Sequence, residues 1–118
     1  MITKNDIYTE LVTALGDGVY CTQYYEIVPQ QLPCVYFRES HSPVLRYITL
    51  DMEDEQVRMY CYIEVYGADI DGLVGTIEQK FKSMGFIEEL CEMIPNYRPE
   101  IERVSMRFQR ILTGGNTL

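Results

Sequence analysis

Few residues in this sequence are of types that could carry out catalysis. The only histidine, His41, is followed directly by Ser42. Neighbours in sequence rarely form a nucleophile–base pair, because such a pair requires a defined side-chain geometry in space. The carboxylates Glu88, Glu89 and Glu92 could form an acid–base set, but a dense acidic run is more typical of a solvated face. The sequence therefore predicts no catalytic residues and no enzymatic activity.

The sequence also lacks the residue spacing of common metal and cofactor sites. Its four cysteines are widely separated and form no CxxC pair: Cys21, Cys34, Cys61 and Cys91. Zinc ligands usually come in close pairs, so we expect these cysteines to be small buried thiols in a reducing compartment. Gly72 and Gly75 lack the spacing and the lysine of a phosphate-binding loop, and we expect them to permit close helix packing. We predict no cofactor and no bound metal.

Tyrosine is the residue type that stands out, with ten copies in a chain that has no tryptophan. In the stretch QVRMYCYIEVYGAD, residues 56–69, apolar residues occupy the odd positions from Val57 to Val65. This strict alternation predicts a β-strand with one buried face. The opposite face carries three of the tyrosines, which burial in a core does not explain.

Two interpretations of these tyrosines are open. Tyrosine suits half-exposed strands, and tyrosine and arginine are also enriched at the hot spots of protein interfaces. We favour a contact surface that faces another subunit or protein, in which arginines of a neighbouring strand pair with Glu64 and with carboxylates across the contact. The candidate interface residues are Arg58, Tyr60, Tyr62, Glu64, Tyr66, Arg103 and Arg107.

Two amphipathic helices accompany this strand. Residues 3–18, TKNDIYTELVTALGDG, have one apolar stripe, with Thr3 or Asn5 as the expected N-terminal cap. Residues 68–86, ADIDGLVGTIEQKFKSMGF, have a second stripe, with Asp69 as the expected cap. Gly85 and Phe86 predict a Schellman stop at the end of this second helix.

Other segments are strands, loops or ambiguous. Three further strands are expected at Val19–Val28, Cys34–Glu39 and Ile101–Leu112. Ser40–Glu55 has no clean period and predicts a long loop, within which Leu45–Leu50 fits a short strand as well as it fits a loop. Ile87–Asn96 has helical spacing, and propensity favours one or two helical turns there.

These elements predict an α+β fold. Mostly antiparallel strands with one polar face each, together with two amphipathic helices, indicate a two-layer sandwich with a sheet of about four strands and two helices packed on one face. We expect a single domain over residues 1–113. Residues 114–118, GGNTL, are expected to form a flexible tail.

The charge balance excludes some classes of partner. The chain has 10 Lys and Arg against 18 Asp and Glu, a net charge of −8. A surface of this sign attracts neither nucleic acid nor an anionic membrane. The N-terminal residues MITKNDIYTE contain no apolar signal-peptide core, and no apolar run approaches a membrane span. We therefore expect a soluble intracellular protein.

The element order and several local motifs resemble the tail terminator (tail completion, head–tail joining) proteins of long-tailed bacteriophages and prophages. An N-terminal amphipathic helix, NDIYTELVTALG, precedes a strand and a short proline-bounded strand, QLPCVYFRE. An irregular charged loop comes before the long strand VRMYCYIEVYGAD and the helix IEQKFKSMGF. An arginine-containing strand, RVSMRFQRI, completes a pattern that covers nearly the whole chain.

The resemblance implies a structural virion protein that forms a hexameric ring, caps the finished tail tube, stops its polymerisation and joins the tail to the head. The implied partners are further copies of the chain, the major tail tube protein and the head–tail connector protein, with no membrane. DNA would pass through the ring without specific binding, and negative walls would keep it from sticking. Assembly would take place in the bacterial host cytoplasm, and the protein would reside in the virion tail or neck. The candidate contacts in the loop are Arg46, Tyr47, Asp51, Glu53 and Asp54.

For the segment Ile87–Asn96 the resemblance and the local propensity predict different secondary structures. Such proteins usually continue after the glycine–aromatic pair into another strand, so the resemblance implies an extended segment that turns near Pro95–Pro99 into a hairpin with the last strand.

Two other functional classes remain open. One is another neck or head-completion component, and the other is a small ligand-binding or enzymatic cytosolic domain, which would need a pocket with convergent polar groups.

Overall fold

A computed structural model of the chain describes residues 4–24, 29, 31–43, 56–95, 98 and 100–113. Two helices and five strands lie in these ranges. They are α1 (Lys4–Leu15), β1 (Tyr20–Thr22), β2 (Cys34–Pro43), β3 (Gln56–Gly67), α2 (Asp71–Ser83), β4 (Ile87–Met93) and β5 (Glu102–Thr113).

The five strands form one sheet in the spatial order β1-β2-β3-β5-β4. The central strand, β3, pairs antiparallel with β2 on one side and with β5 on the other. β4 also pairs antiparallel with β5, whereas β1 runs parallel to β2. The predicted α+β fold with a mostly antiparallel sheet is confirmed, with one strand more than expected.

Both helices cover the same face of the sheet. Ile7 and Leu11 of α1 and Ile77 of α2 are fully buried in one core with four residues of β3: Met59, Cys61, Ile63 and Val65. Phe81 of α2 stacks on Phe108 of β5 with ring centroids 4.4 Å apart. Full burial of one such ring contributes about 1.5–3 kcal/mol, so this pair is a strong attachment of α2 to the sheet. The predicted two-layer arrangement is therefore present.

The segment Ile87–Met93, which local propensity assigned to a helix, is strand β4. Its pairing with β5 supplies backbone hydrogen bonds along the segment, and helix propensity is too small a bias per residue to outweigh them. A register shift between Glu88 and Leu90 interrupts the strand. Such a bulge breaks the alternation of side chains, which explains the weak period-two pattern in the sequence. The extended segment that the resemblance implied is the observed one.

Strand β2 is longer than predicted. The sequence indicated a strand over Cys34–Glu39 followed by a loop from Ser40. Instead β2 stays paired with β3 as far as the Pro43–Val57 pair, so the first residues of the predicted loop belong to the sheet. The partner strand thus extends a segment whose own sequence shows no clean period.

Several predictions fall partly or wholly on residues outside the described ranges. The predicted strand Val19–Val28 contains β1 at Tyr20–Thr22, and its residues 25–28 lie outside them. The possible strand Leu45–Leu50 and the predicted tail at 114–118 also lie outside the described residues.

The cap predicted for α2 is not the observed one, and only one of the two candidates for α1 falls within the described residues. Asn5 lies inside α1, and Thr3 lies outside the described residues. The cap position of α2 is Ile70, which makes no side-chain capping bond, and Asp69 has a left-handed φ of 56°. The carboxylate of Glu102, at the start of β5, instead accepts hydrogen bonds from the backbone N–H groups of Asp69 (3.0 Å) and Ile70 (3.4 Å). A negative charge near a helix N-terminus is favourable, and here it comes from a distant strand.

The end of α2 is the Schellman stop that the sequence predicted. Gly85 has φ of 85° and donates its N–H to the carbonyl of Lys82 at 3.0 Å. The N–H of Phe86 donates to the carbonyl of Phe81, also at 3.0 Å, which completes the paired bonds of this motif. The two phenylalanine rings meet edge to face at 5.2 Å.

Gly85→Ala should lower the free energy of unfolding by about 1 kcal/mol or more, because an L-residue is strained at this φ. A β-carbon there would also lie 2.8 Å from Nη1 of Arg110, which donates to the carbonyl of Met84. The matched control is Gly75→Ala in the interior of α2, where an added β-carbon meets nothing within 4 Å. The free energy of unfolding of this control should rise by about 0.5–1 kcal/mol, because alanine has a higher helix propensity than glycine.

Urea unfolding of both variants checks this pair. If the two variants have equal free energies of unfolding, the left-handed conformation at Gly85 does not contribute to the stability of the fold. The open space at Gly75, and also at Gly72, already shows that the expected close helix packing at these glycines is wrong.

Candidate interaction surface

The side of the sheet that faces away from both helices is called here the open face. Successive residues of a strand point to opposite faces, so the even-numbered residues of β3 from Arg58 to Tyr66 lie on it, together with their cross-strand neighbours on β2 and β5. Both described helices pack on the other side. The polar and aromatic residues of the open face on these three strands include Tyr36, Arg38, Arg58, Tyr60, Tyr62, Glu64, Arg103, Ser105, Arg107 and Gln109.

One end of the open face is closed by the chain itself. Tyr66 is only 4% exposed and packs with Cys34, Ile101 and the partly buried Tyr20. A side chain with so little free surface has little to offer another subunit. The prediction of Tyr66 as an interface residue is therefore corrected. Alternation assigned it to the right face, but Ile101, which precedes β5, helps to cover it.

Glu64 holds an internal polar cluster beside this buried tyrosine. Nε of Arg103 donates to Oε1 of Glu64 at 3.0 Å, and a second guanidinium nitrogen also contacts that oxygen. The hydroxyl of Tyr66 donates to the other carboxylate oxygen at 3.2 Å. The Arg103 guanidinium lies 5.6 Å from the centre of the Tyr66 ring. The predicted pairing of Arg103 with Glu64 is confirmed, and it orders this end of the sheet within one chain.

The middle of the open face is an aromatic and cationic cluster. The rings of Tyr60 and Tyr62 stack with centroids 6.3 Å apart and planes 30° apart. The guanidinium of Arg38 lies over the Tyr62 ring, 4.1 Å from its centroid, which is cation–π geometry. Arg38 is exposed and both tyrosines are half-buried. Arg38 was missing from the predicted interface residues, although the alternation of β2 already assigned it to the side opposite Val35 and Phe37.

Of the two remaining arginines of the prediction, Arg107 lies opposite Tyr62 on β5 and Arg58 lies toward the other end of the face. Nε of Arg107 is 3.1 Å from Oε1 of Glu89, in the geometry of an ion pair and not of a hydrogen bond. Arg107 thus contacts a carboxylate of its own chain. Nε of Arg58 is shielded from solvent and has no hydrogen-bond partner within the part of the chain that the structure describes. The loop candidates Arg46, Tyr47, Asp51, Glu53 and Asp54 lie outside that part.

A second polar cluster lies between α2 and β4. The ligand atoms of Glu78, Glu88 and Cys91 all lie within 4.8 Å of one another. A hydrogen bond with the Glu78 carboxyl, partial burial and the negative charge of Glu78 raise the pKa of Glu88 to about 7, against a small lowering by Lys82. No local pattern in the sequence indicates this cluster, because Glu78 belongs to a helix and Glu88 and Cys91 belong to a segment with helical spacing. Glu88 belongs to this cluster and Glu89 and Glu92 do not, so these three glutamates do not form the acid–base set considered from the sequence.

The cysteines and the histidine show no sign of an activated nucleophile. Cys34 and Cys61 are buried as expected, Cys21 is half-buried, and Cys91 is exposed, contrary to the prediction. Burial and the nearby glutamates raise the pKa of Cys91, which keeps its thiol protonated and weakly nucleophilic at neutral pH. His41 lies on β2 and not in a loop, with Nε2 3.8 Å from Oε1 of Glu39.

Comparison with known proteins adds no family to this geometry. Neither the family models nor the curated proteins that were searched contain a match to the chain. Among the described residues, no helix has the length and apolar character needed to cross a membrane.

The raised pKa of Glu88 predicts a pH dependence of stability. The folded chain keeps this carboxyl protonated up to about pH 7, whereas the unfolded chain ionises it above its ordinary value of 4.5. The unfolded state therefore binds fewer protons between these values, and the contribution of Glu88 to the free energy of unfolding falls as pH rises through this window.

Glu88→Gln should consequently reduce the loss of stability between pH 5 and pH 8, measured as the shift of the urea midpoint. Glu92→Gln, at an exposed position of the same strand, is the control and should leave the shift of the parent chain unchanged. An undiminished shift in Glu88→Gln would show that the carboxyl pair does not form.

Proposed function

We propose that this chain is a non-enzymatic structural subunit of a ring that caps the tail tube of a long-tailed bacteriophage, stops its polymerisation and joins the tail to the head. The observation that carries the proposal is the open face. Its middle is an exposed arginine over a pair of half-buried tyrosines, on a sheet whose other side is already filled by both described helices.

The composition of this face fits a protein partner better than a substrate. Tyrosine and arginine dominate the energetics of protein interfaces, because each offers a large contact area together with polar groups. A catalytic or small-molecule site would instead need a concave pocket with convergent polar groups. The residues at the centre of the open face lie on a sheet surface, and their guanidinium and rings already contact one another side by side.

Strand β4 adds a second line of support. Local propensity and the resemblance to tail terminator proteins made opposite predictions for this segment, and the observed strand agrees with the resemblance. The net charge of −8 per copy is also compatible with a channel for DNA, since acidic walls do not bind phosphates.

Electron microscopy of the purified protein mixed with its tail tube protein tests the proposal directly. We expect ring-shaped densities at the tube ends and tubes that stop growing once capped. A tube protein incubated alone is the control and should continue to lengthen. Tubes of unchanged length with bare ends, at protein concentrations well above that of the tube ends, would contradict the proposal.

Tyr62→Ala should weaken the contact between subunits by about 2 kcal/mol or more, roughly a 30-fold loss of affinity, since it removes a central ring and the surface on which Arg38 rests. The matched control is Tyr24→Ala, because Tyr24 is 81% exposed and follows β1 outside the sheet. Sedimentation velocity over a concentration series, with tube capping as a second readout, compares the two variants. Arg107→Glu is a less clean test, since the new carboxylate would lie beside Glu89.

The thermal midpoint of each variant checks that the monomer stays folded. Wild-type association by Tyr62→Ala would place the subunit contact on another surface. Equal weakening by both tyrosine variants would show that the loss of affinity is not specific to the open face.

A further inference from the structure

The charges of this acidic chain are distributed unevenly over the sheet. On β2, β3 and β5 the open face carries four arginines (Arg38, Arg58, Arg103 and Arg107) and one glutamate, Glu64, among the described residues. Arg103 pairs with Glu64 and Arg107 pairs with Glu89 of the adjoining strand β4, so four arginines and two glutamates leave a net charge of +2, carried by Arg38 and Arg58. The whole chain carries −8, so everything outside this set carries −10. The open face is thus a basic and aromatic surface on a molecule that is acidic elsewhere.

The opposite character is found at β4, the outer strand of the sheet on the β5 side. Its seven residues, Ile87–Met93, include three glutamates and no cation. Ile87 is 65% exposed and Met93 is 59% exposed, so apolar surface also lies along this edge. An outer strand further presents backbone N–H and C=O groups that no neighbour in the described sheet uses. Glu88 faces Glu78 of α2 and Glu89 pairs with Arg107, so the acidic side chain that this edge offers to a partner is the exposed Glu92, beside the apolar surface of Ile87 and Met93.

Two copies cannot readily join through their β4 edges alone. An antiparallel pair of these strands would bring the glutamates of one copy against those of the other, and like charges facing each other across strands are destabilising. Two open faces repel in the same way through their arginines. The surface that complements the β4 edge in charge is the open face of another copy, where the half-buried tyrosines and the exposed Arg38 can also contact the isoleucine and the methionine.

We propose that the β4 edge of one copy docks on the open face of the next copy. This inference rests on the proposed function, because it assumes that identical subunits form a ring. A contact between two different patches is heterologous, so it repeats from copy to copy and closes into a ring when the rotation allows. The occupant of the open face is thus a second copy of this chain, held by charge and by aromatic–apolar contacts.

Charge reversal on each side tests this docking. Arg58→Glu gives the open face a negative charge near the aromatic cluster, and Glu92→Lys gives the β4 edge a positive one at an exposed position. Each variant alone should lose at least about tenfold in assembly, because like charges then meet at every contact. Mixing the two variants should restore assembly, since the reversed face meets the reversed edge and the two unchanged surfaces meet each other.

The double variant Arg58→Glu/Glu92→Lys should also assemble, because every contact is again between opposite charges. The control changes net charge by the same amount as Glu92→Lys but away from both surfaces: Asp17→Lys, at an exposed position after α1. It should assemble like the parent chain. Oligomer size by mass photometry and capping of tail tubes are the two readouts, at low salt and again at higher salt, where screening should weaken the parent contact.

The outcomes separate this inference from the proposed function. Rescue by mixing and by the double variant supports the docking. Parent rings that form at tube ends, with single variants that assemble normally or are not rescued, overturn the docking and leave the ring intact. A parent chain that never assembles, alone or on tubes, overturns both.

Discussion

The alternation of side chains along β3 is the constraint on which the rest of the structure depends. This strand is central and pairs from Gln56 to Gly67 with β5 and from Val57 to Tyr66 with β2. Because the side-chain period is two, a slip of one residue would turn every buried residue toward solvent and every tyrosine into the core. The register of one strand therefore decides which surface receives the helices and which stays open.

The same constraint explains how much of the fold local patterns could predict. The Schellman stop at Gly85 depends on residues adjacent in sequence, so the glycine–aromatic pair was enough to predict it. The N-terminus of α2 depends on Glu102, more than thirty residues away, and no local signal at Asp69 could indicate that. Strand β4 is likewise set by its pairing with β5, while its bulge and its exposed ends hide the alternation that would have marked it.

The sequence was enough to predict which side chains point to the open face, but not which of them stay accessible there. Alternation correctly assigned Tyr60, Tyr62 and Tyr66 to one face, yet only the first two remain available, because Ile101 and neighbouring residues cover the third. Alternation reports which way a side chain points and carries no information about what a distant segment lays over it. The pairing of Arg107 with Glu89 was hidden for a related reason, since Glu89 belongs to the strand that local propensity did not find.

The uneven charge of the chain has a consequence for assembly in the proposed ring. A net charge of −8 makes copies repel in most orientations of approach, whereas the basic open face attracts only an acidic surface that faces it within the screening length of about 10 Å at ordinary salt. Free copies at low concentration then rarely form the contact. A tube end that binds several copies side by side raises their effective concentration and makes the same contact favourable. Repulsion between whole copies with complementarity at one contact is thus compatible with the proposed formation of the ring on a finished tube.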